Sequence, residues 1–118
     1  MPEKLSGGVL EREDIGGVTV ARVRAPLLRD DETTQALFRE VFAVLDEPGG
    51  RKLVLNLEPV EYVASVVLGK LVLLNRKGQG RLALCRLTPT MDRALEATHL
   101  ADVLPVFEDE GAAVRSFA

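Results

Sequence analysis

The chain has 118 residues, 47% of them hydrophobic and 28% charged, the balance of one globular domain and not of a disordered chain. Its formal net charge of −3, from 15 basic and 18 acidic residues, speaks against a nucleic-acid-binding stripe, and 4% aromatics speak against a base-stacking platform. One Cys and one His exclude a disulfide framework and a Cys/His zinc site, and no apolar run approaches the roughly 18 residues of a membrane span.

Residues 1–8, MPEKLSGG, read as a loose start without the apolar stretch of a secretory signal. Val9–Asp14 and Val18–Arg24 flank Gly16-Gly17, the signal of a β-hairpin. The valines of the second run alternate imperfectly, as in a strand covered on both faces. After Pro26, Asp30 and Asp31 offer a helix cap, and Glu32 suits the positive end of the helix dipole. Leu37, Val41 and Leu45, widened by Phe38 and Phe42, predict an amphipathic helix over 32–46, ended by Pro48-Gly49-Gly50.

Lys52–Leu57 reads as a buried strand and Pro59–Ala64 as a connection. Val66–Lys77 is a second helix, stopped by Gly78 and Gly80, and Arg81–Leu87 a further strand. Thr88-Pro89 is a cap followed by proline at the first helical position. Met91 and Leu95 mark the inner side of that helix. Val106-Phe107 is a last short strand, and Asp109 caps a final helix with Ala113, Val114 and Phe117 inward. The expected fold is α/β: a mixed, mostly parallel sheet of about five strands with four principal helices, in one domain spanning 1–118.

Few side chains are disposed for catalysis. His99 follows Thr98 where the third helix stops, the place of a left-handed chain reversal. Cys85 lies within LALCRL as a small buried hydrophobe. Glu58 and Glu61 sit on a connecting loop, where carboxylates are solvated. Phosphate-binding and nucleophile-elbow motifs are absent from the sequence. The expectation is therefore no enzyme, no catalytic residue, no metal and no cofactor.

The second helix carries the functional signal. At 100° per residue Val67, Leu68, Leu71, Val72 and Leu74 share one arc, with Lys70 and Lys77 near the centre of the opposite arc. Val66 and Leu73 fall on that lysine-bearing stripe, placing apolar groups toward water. Ser65 stands at the start of this helix, as a cap or as a phosphate acceptor.

The segments KLVLNLEPVEYVASVVLGKLVLLNRK and GRLALCRLTPTMDRALEATHLADVLPVFED resemble a STAS domain of the anti-sigma factor antagonist type, over about Val9–Phe117. The resemblance rests on the VLNL strand, Val60-x-Tyr62-Val63, Leu68-Gly69, the strand and cap at 80–89, and the THLADV turn. In that family the second helix usually begins Asp-Ser-(Ser/Thr)-Gly-Leu-Gly. A partner that is both anti-sigma factor and kinase phosphorylates the Ser after the Asp, and the unphosphorylated form binds that partner and frees the sigma factor.

Here Ala64 stands at the Asp, Ser65 matches the acceptor, Val66 replaces the second hydroxyl residue and Val67 the Gly, and Leu68-Gly69 match. The resemblance implies a cytoplasmic, bacterial regulator of transcription that docks a kinase-like anti-sigma factor. Ser65 is then the phosphorylation candidate, with Ala64, Val66, Gly69, Lys70 and Leu73 as partner-binding candidates. A second reading keeps the fold without the switch: a scaffold or interaction subunit in a stress-sensing assembly, a lipid-transport complex or a homodimer. A small-molecule or nucleotide binder ranks last, for want of a phosphate-cradling loop.

Overall fold

The sheet begins at an edge. In the computed structural model, which describes residues 2–118, β1 (Glu3–Leu5) pairs antiparallel with β2 (Leu10–Ile15), which pairs antiparallel with β3 (Val18–Val23). Gly16 and Gly17 close the β2–β3 turn at φ 53° and 83°, a region side chains resist. The start expected to be loose thus contributes an edge strand at residues 3–5, whose backbone hydrogen bonds outweigh its polar composition; Met1 lies outside the described residues. After the two-residue β4 (Leu27–Leu28) come α1 (Glu32–Leu45), β5 (Lys52–Asn56), the two-residue β6 (Tyr62–Val63) and α2 (Ser65–Gly78). The chain finishes with β7 (Leu82–Cys85), α3 (Pro89–Ala97), β8 (Val106–Phe107) and α4 (Glu110–Arg115).

The main sheet runs β1-β2-β3-β5-β7-β8, parallel from β3 to β8. It has six strands where about five are expected, because β1 extends it. β4 and β6 form a separate parallel ribbon within what read as connections. β7 is shorter than the predicted 81–87 because Arg86 turns left-handed at φ 58°.

Helix starts follow the caps written in the sequence. The side chains of Asp31, Thr88 and Asp109 accept from the backbone N–H groups of Thr34, Met91 and Ala112 at 2.9, 3.2 and 2.7 Å. Thr88 also donates to the Val60 carbonyl at 2.6 Å, tying the start of α3 to the chain entering α2. At the opposite end Arg81 donates to the carbonyls of Leu45 and Arg51 at 3.2 and 2.9 Å, satisfying the last turn of α1.

The two sheet faces are covered unequally. Leu53, Leu55, Leu57, Leu82 and Leu84 point to the larger core, packed by α1, α2 and α3. Val18, Val20, Val54, Ala83 and Cys85 point to a smaller one, covered by Ala113 of α4 with Phe107, Val114 and Phe117. Charge pins this short helix: the Glu110 carboxylate accepts from Arg22 at 2.7 and 3.0 Å and from the buried Asn56 amide at 2.6 Å. Arg22 also meets Glu11 and Glu13 at 2.8 and 2.9 Å.

Leu84 is fully buried at 0% exposure, so Leu84→Ala should lose about 2–5 kcal/mol of unfolding free energy in urea melts. A loss under about 0.5 kcal/mol, typical of surface positions, would contradict the burial. The Arg22 guanidinium, helped by Asn56, holds the Glu110 carboxyl below its ordinary value of 4.5. A carboxyl depressed by folding stabilises fully above its unfolded-state value and loses that contribution as pH falls through its folded-state value. Glu110→Gln should therefore cost about 1–2 kcal/mol at neutral pH, and the gap should close below pH 4.5. Urea melts across pH check it; a gap that persists unchanged in acid would show that the carboxylate is not the anchor.

Candidate functional site

The ribbon of β4 and β6 delivers the chain to α2. The Ala64 N–H donates to the Leu28 carbonyl at 2.9 Å, so the residue before the helix is hydrogen-bonded to the end of β4. By the ribbon's register Leu27 lies beside Tyr62 and Leu28 beside Val63. Leu28 points into the core and Val63 packs against it. Leu27 and Tyr62 point outward, Tyr62 at 51% exposure.

Ser65 lies within the first turn of α2, as expected, but it is not the cap. Ala64 occupies the N-cap at φ −70°, ψ 152°, and has no side-chain oxygen to accept an N–H. Ser65 is the first helical residue and is exposed. The start of α2 therefore has no side-chain cap, unlike the starts of α1, α3 and α4; the Val67 amide bonds back to the Ala64 carbonyl at 2.9 Å, which leaves the Ser65 and Val66 amides to water or to an anion.

The inner stripe of α2 is Val67, Leu71, Leu74 and Gly78. Gly78, read as a helix stop, stays helical and buried, packed beside Leu82 and Leu45, where a Cβ would make ordinary contacts at 3.4 and 3.7 Å. Gln79 makes the left-handed stop instead, at φ 47°. Leu68 and Val72 are only half-buried. The inner stripe is thus narrower than the apolar arc read from the sequence, and its centre is rotated toward Gly78. The lysines move with it, from the centre of the outer arc to the flank beside α1. There Lys77 pairs with Asp46 at 2.7 Å and Lys70 lines a groove with Phe38 and Phe42.

Val66 and Leu73 face water, at 45% and 55% exposure. Gly69 lies on the exposed side between Ser65 and Leu73, one turn from each. A Cβ at Gly69 would meet nothing within 4 Å, so packing does not require a glycine, and mid-helix glycine costs about 0.5–1 kcal/mol relative to alanine. The result is bare helix backbone at Gly69 flanked by the exposed Val66 and Leu73 and by the exposed Ser65 hydroxyl. Leu27 and Tyr62 extend this surface and are missing from the sequence-derived set. A two-residue ribbon has no periodicity to read; the available signal was an aromatic between Val60 and Val63, which both turn inward.

The remaining polar candidates lie elsewhere. His99 makes the left-handed turn after α3 at φ 62°. Burial pushes the Cys85 thiol up to about 12, so it stays protonated at neutral pH. Glu58 forms an exposed pair with Arg86 at 3.2 Å, and Glu61 is exposed. Among the described residues no group of His, Cys, Asp and Glu could hold a metal ion, and no helix is long and apolar enough to cross a membrane.

Comparison with known proteins matches residues 10–113 to the model of the STAS domain. A curated relative, an anti-sigma F factor antagonist of Paenibacillus polymyxa, is 27% identical over 105 residues, covering 86% of this chain and 87% of that protein. Two solved structures share the fold. An anti-sigma-factor antagonist (STAS) domain protein from Planctomyces limnophilus has a TM-score of 0.77 at 24% identity, over 91% of this chain and 96% of that one. An anti-sigma factor antagonist from Mycobacterium paratuberculosis has a TM-score of 0.76 at 25% identity, over 91% of each chain.

Because the cap position is Ala64, Ser65→Ala should change stability by no more than about 0.5 kcal/mol in thermal or urea melts. Ala64→Asp should supply the missing acceptor and raise stability by about 0.5–2 kcal/mol. A loss of about 1 kcal/mol or more from Ser65→Ala would make Ser65 the working cap after all.

Proposed function

The chain belongs to the STAS domain family, and from that premise we propose that it is a docking module for an anti-sigma factor in the cytoplasm. The outer side of α2 is the contact surface and Ser65 the point of control. The observation that carries this reading is the exposure of Val66, Leu73, Tyr62 and Leu27 around Ser65 and Gly69. A partner covering these groups removes apolar surface from water, and the bare backbone at Gly69 lets it approach closely. The curated relative's designation as an anti-sigma F factor antagonist supports the partner class.

Phosphate on Ser65 opposes such docking. The open amides at the start of α2 and the positive end of its dipole accommodate the added charge without unfolding the helix. The same charge, about −2, then sits beside Val66 and must be desolvated when a partner closes over the patch. A kinase-like anti-sigma factor that phosphorylates Ser65 would thereby dissociate itself.

Two side chains favour a second reading, docking without a switch. Ala64 puts no carboxylate next to the acceptor, and Val66 adds an exposed apolar group where the resemblance expects a hydroxyl. A fixed partner or a second copy of the chain would use the same surface permanently.

Titration calorimetry with a kinase-type anti-sigma factor from the same genome separates the readings. Ser65→Asp and Val66→Glu should each weaken binding by about tenfold or more while melting like the wild type, and Ser65→Ala should bind normally. Equal affinity for wild type and both charged variants would move the interface elsewhere. If Val66→Glu alone loses binding, and mass spectrometry after incubation with partner and ATP finds no phosphate on Ser65, the fixed-docking reading holds.

A further inference from the structure

The groove between α1 and α2 carries a charge pattern that the packing of the two helices does not require. Its floor is apolar: Phe38 is buried, Phe42 half-buried and Ala43 exposed. Arg39 stands on the α1 side and Lys70 on the α2 side. Helical spacing puts Val66 and Leu73 on the same stripe of α2 as Lys70, so exposed apolar surface continues along that lip.

The balance of charge here is the reverse of the whole chain's. α2 contains no acidic residue, while Lys70, Arg76 and Lys77 all carry positive charge. The carboxylate lining the groove, Asp46, is taken up by Lys77 at 2.7 Å. Among the described residues Arg39 and Lys70 have no salt-bridge partner. Two unpaired cations thus flank an apolar trough on a protein of net charge −3.

We propose that this groove receives an amphipathic helix of a protein partner, with acidic residues on both sides of its apolar stripe. The shape suits a helix, since two packed helices leave between them a groove that takes the side chains of a third. The charges set its flanks: carboxylates on either side would meet Arg39 and Lys70, while its apolar stripe covers Phe42, Ala43 and Leu73. An anionic membrane fits less well, because a chain of net negative charge is repelled by it and the cations line a concave trough. The proposal rests on the docking reading only in taking the outer side of α2 as an interface, and its test requires no anti-sigma factor.

The isotope-labelled protein is titrated, with amide shifts followed by NMR, with two peptides sharing one leucine stripe. One carries glutamate and the other lysine at the flanking positions; vesicles containing phosphatidylserine form a third arm. The acidic peptide should shift the amides of Phe42, Ala43, Lys70 and Leu73 and bind about tenfold tighter than the basic one. The double variant Arg39→Glu, Lys70→Glu should reverse that preference without a change in melting. Equal binding of the two peptides, shifts elsewhere, no shifts at millimolar peptide, or a response to vesicles alone would overturn the proposal. If it falls while Ser65→Asp and Val66→Glu still weaken the anti-sigma factor complex, the docking reading survives without it.

Discussion

The rotation of α2 about its own axis is the constraint from which the rest of the candidate site follows. Val67, Leu71 and Leu74 are fully buried, and Gly78 is buried beside Leu45 and Leu82. Turning the helix by one residue would bring large apolar side chains into water, at about 1.5–3 kcal/mol each, and would drive a side chain into the space at Gly78. With the inner stripe locked, Ser65, Val66, Gly69 and Leu73 must face outward. Their exposure is a consequence of packing, but their identity is not. An outer helix surface usually gathers charged and polar residues, and this one gathers valine, leucine and a glycine that no neighbour requires.

The lock depends in turn on the sheet. β5 and β7 are buried on both faces, so their helices must cover the larger core closely. The Thr88 hydroxyl, bridging the Val60 carbonyl and the Met91 amide, couples the start of α3 to the approach to α2. Arg81 closes the end of α1 from the opposite side. These bonds tie the approach to α2 and the end of α1 to the rest of the fold. The smaller core, under α4, is held by a short helix and the Glu110–Arg22–Asn56 contacts, and it carries none of the candidate docking groups.

Most of the fold is legible in the residues because local and long-range signals agree. Asp31, Thr88 and Asp109 read as caps and act as caps, Gly16-Gly17 reads as a hairpin turn and makes one, and His99 takes its left-handed turn. The misses share a cause. β1 and the β4–β6 ribbon are too short for periodicity, and their stability comes from partners distant in sequence. Ala64 has no capping group to announce it, so the serine beside it attracts that role. The lysines of α2 were misplaced because Leu68 and Val72 widened the apolar arc on paper; only the packing of Gly78 against Leu45 and Leu82 shows where its centre lies. Tyr62 and Leu27 come together through strand pairing alone, across more than thirty intervening positions.

The most direct test is the footprint of a kinase-type anti-sigma factor on this chain, read by hydrogen exchange of free and bound protein. The account predicts added protection over Tyr62–Leu73, with α4 and β8 unchanged. Protection confined to β8 and α4, with α2 exchanging as in the free protein, would contradict it.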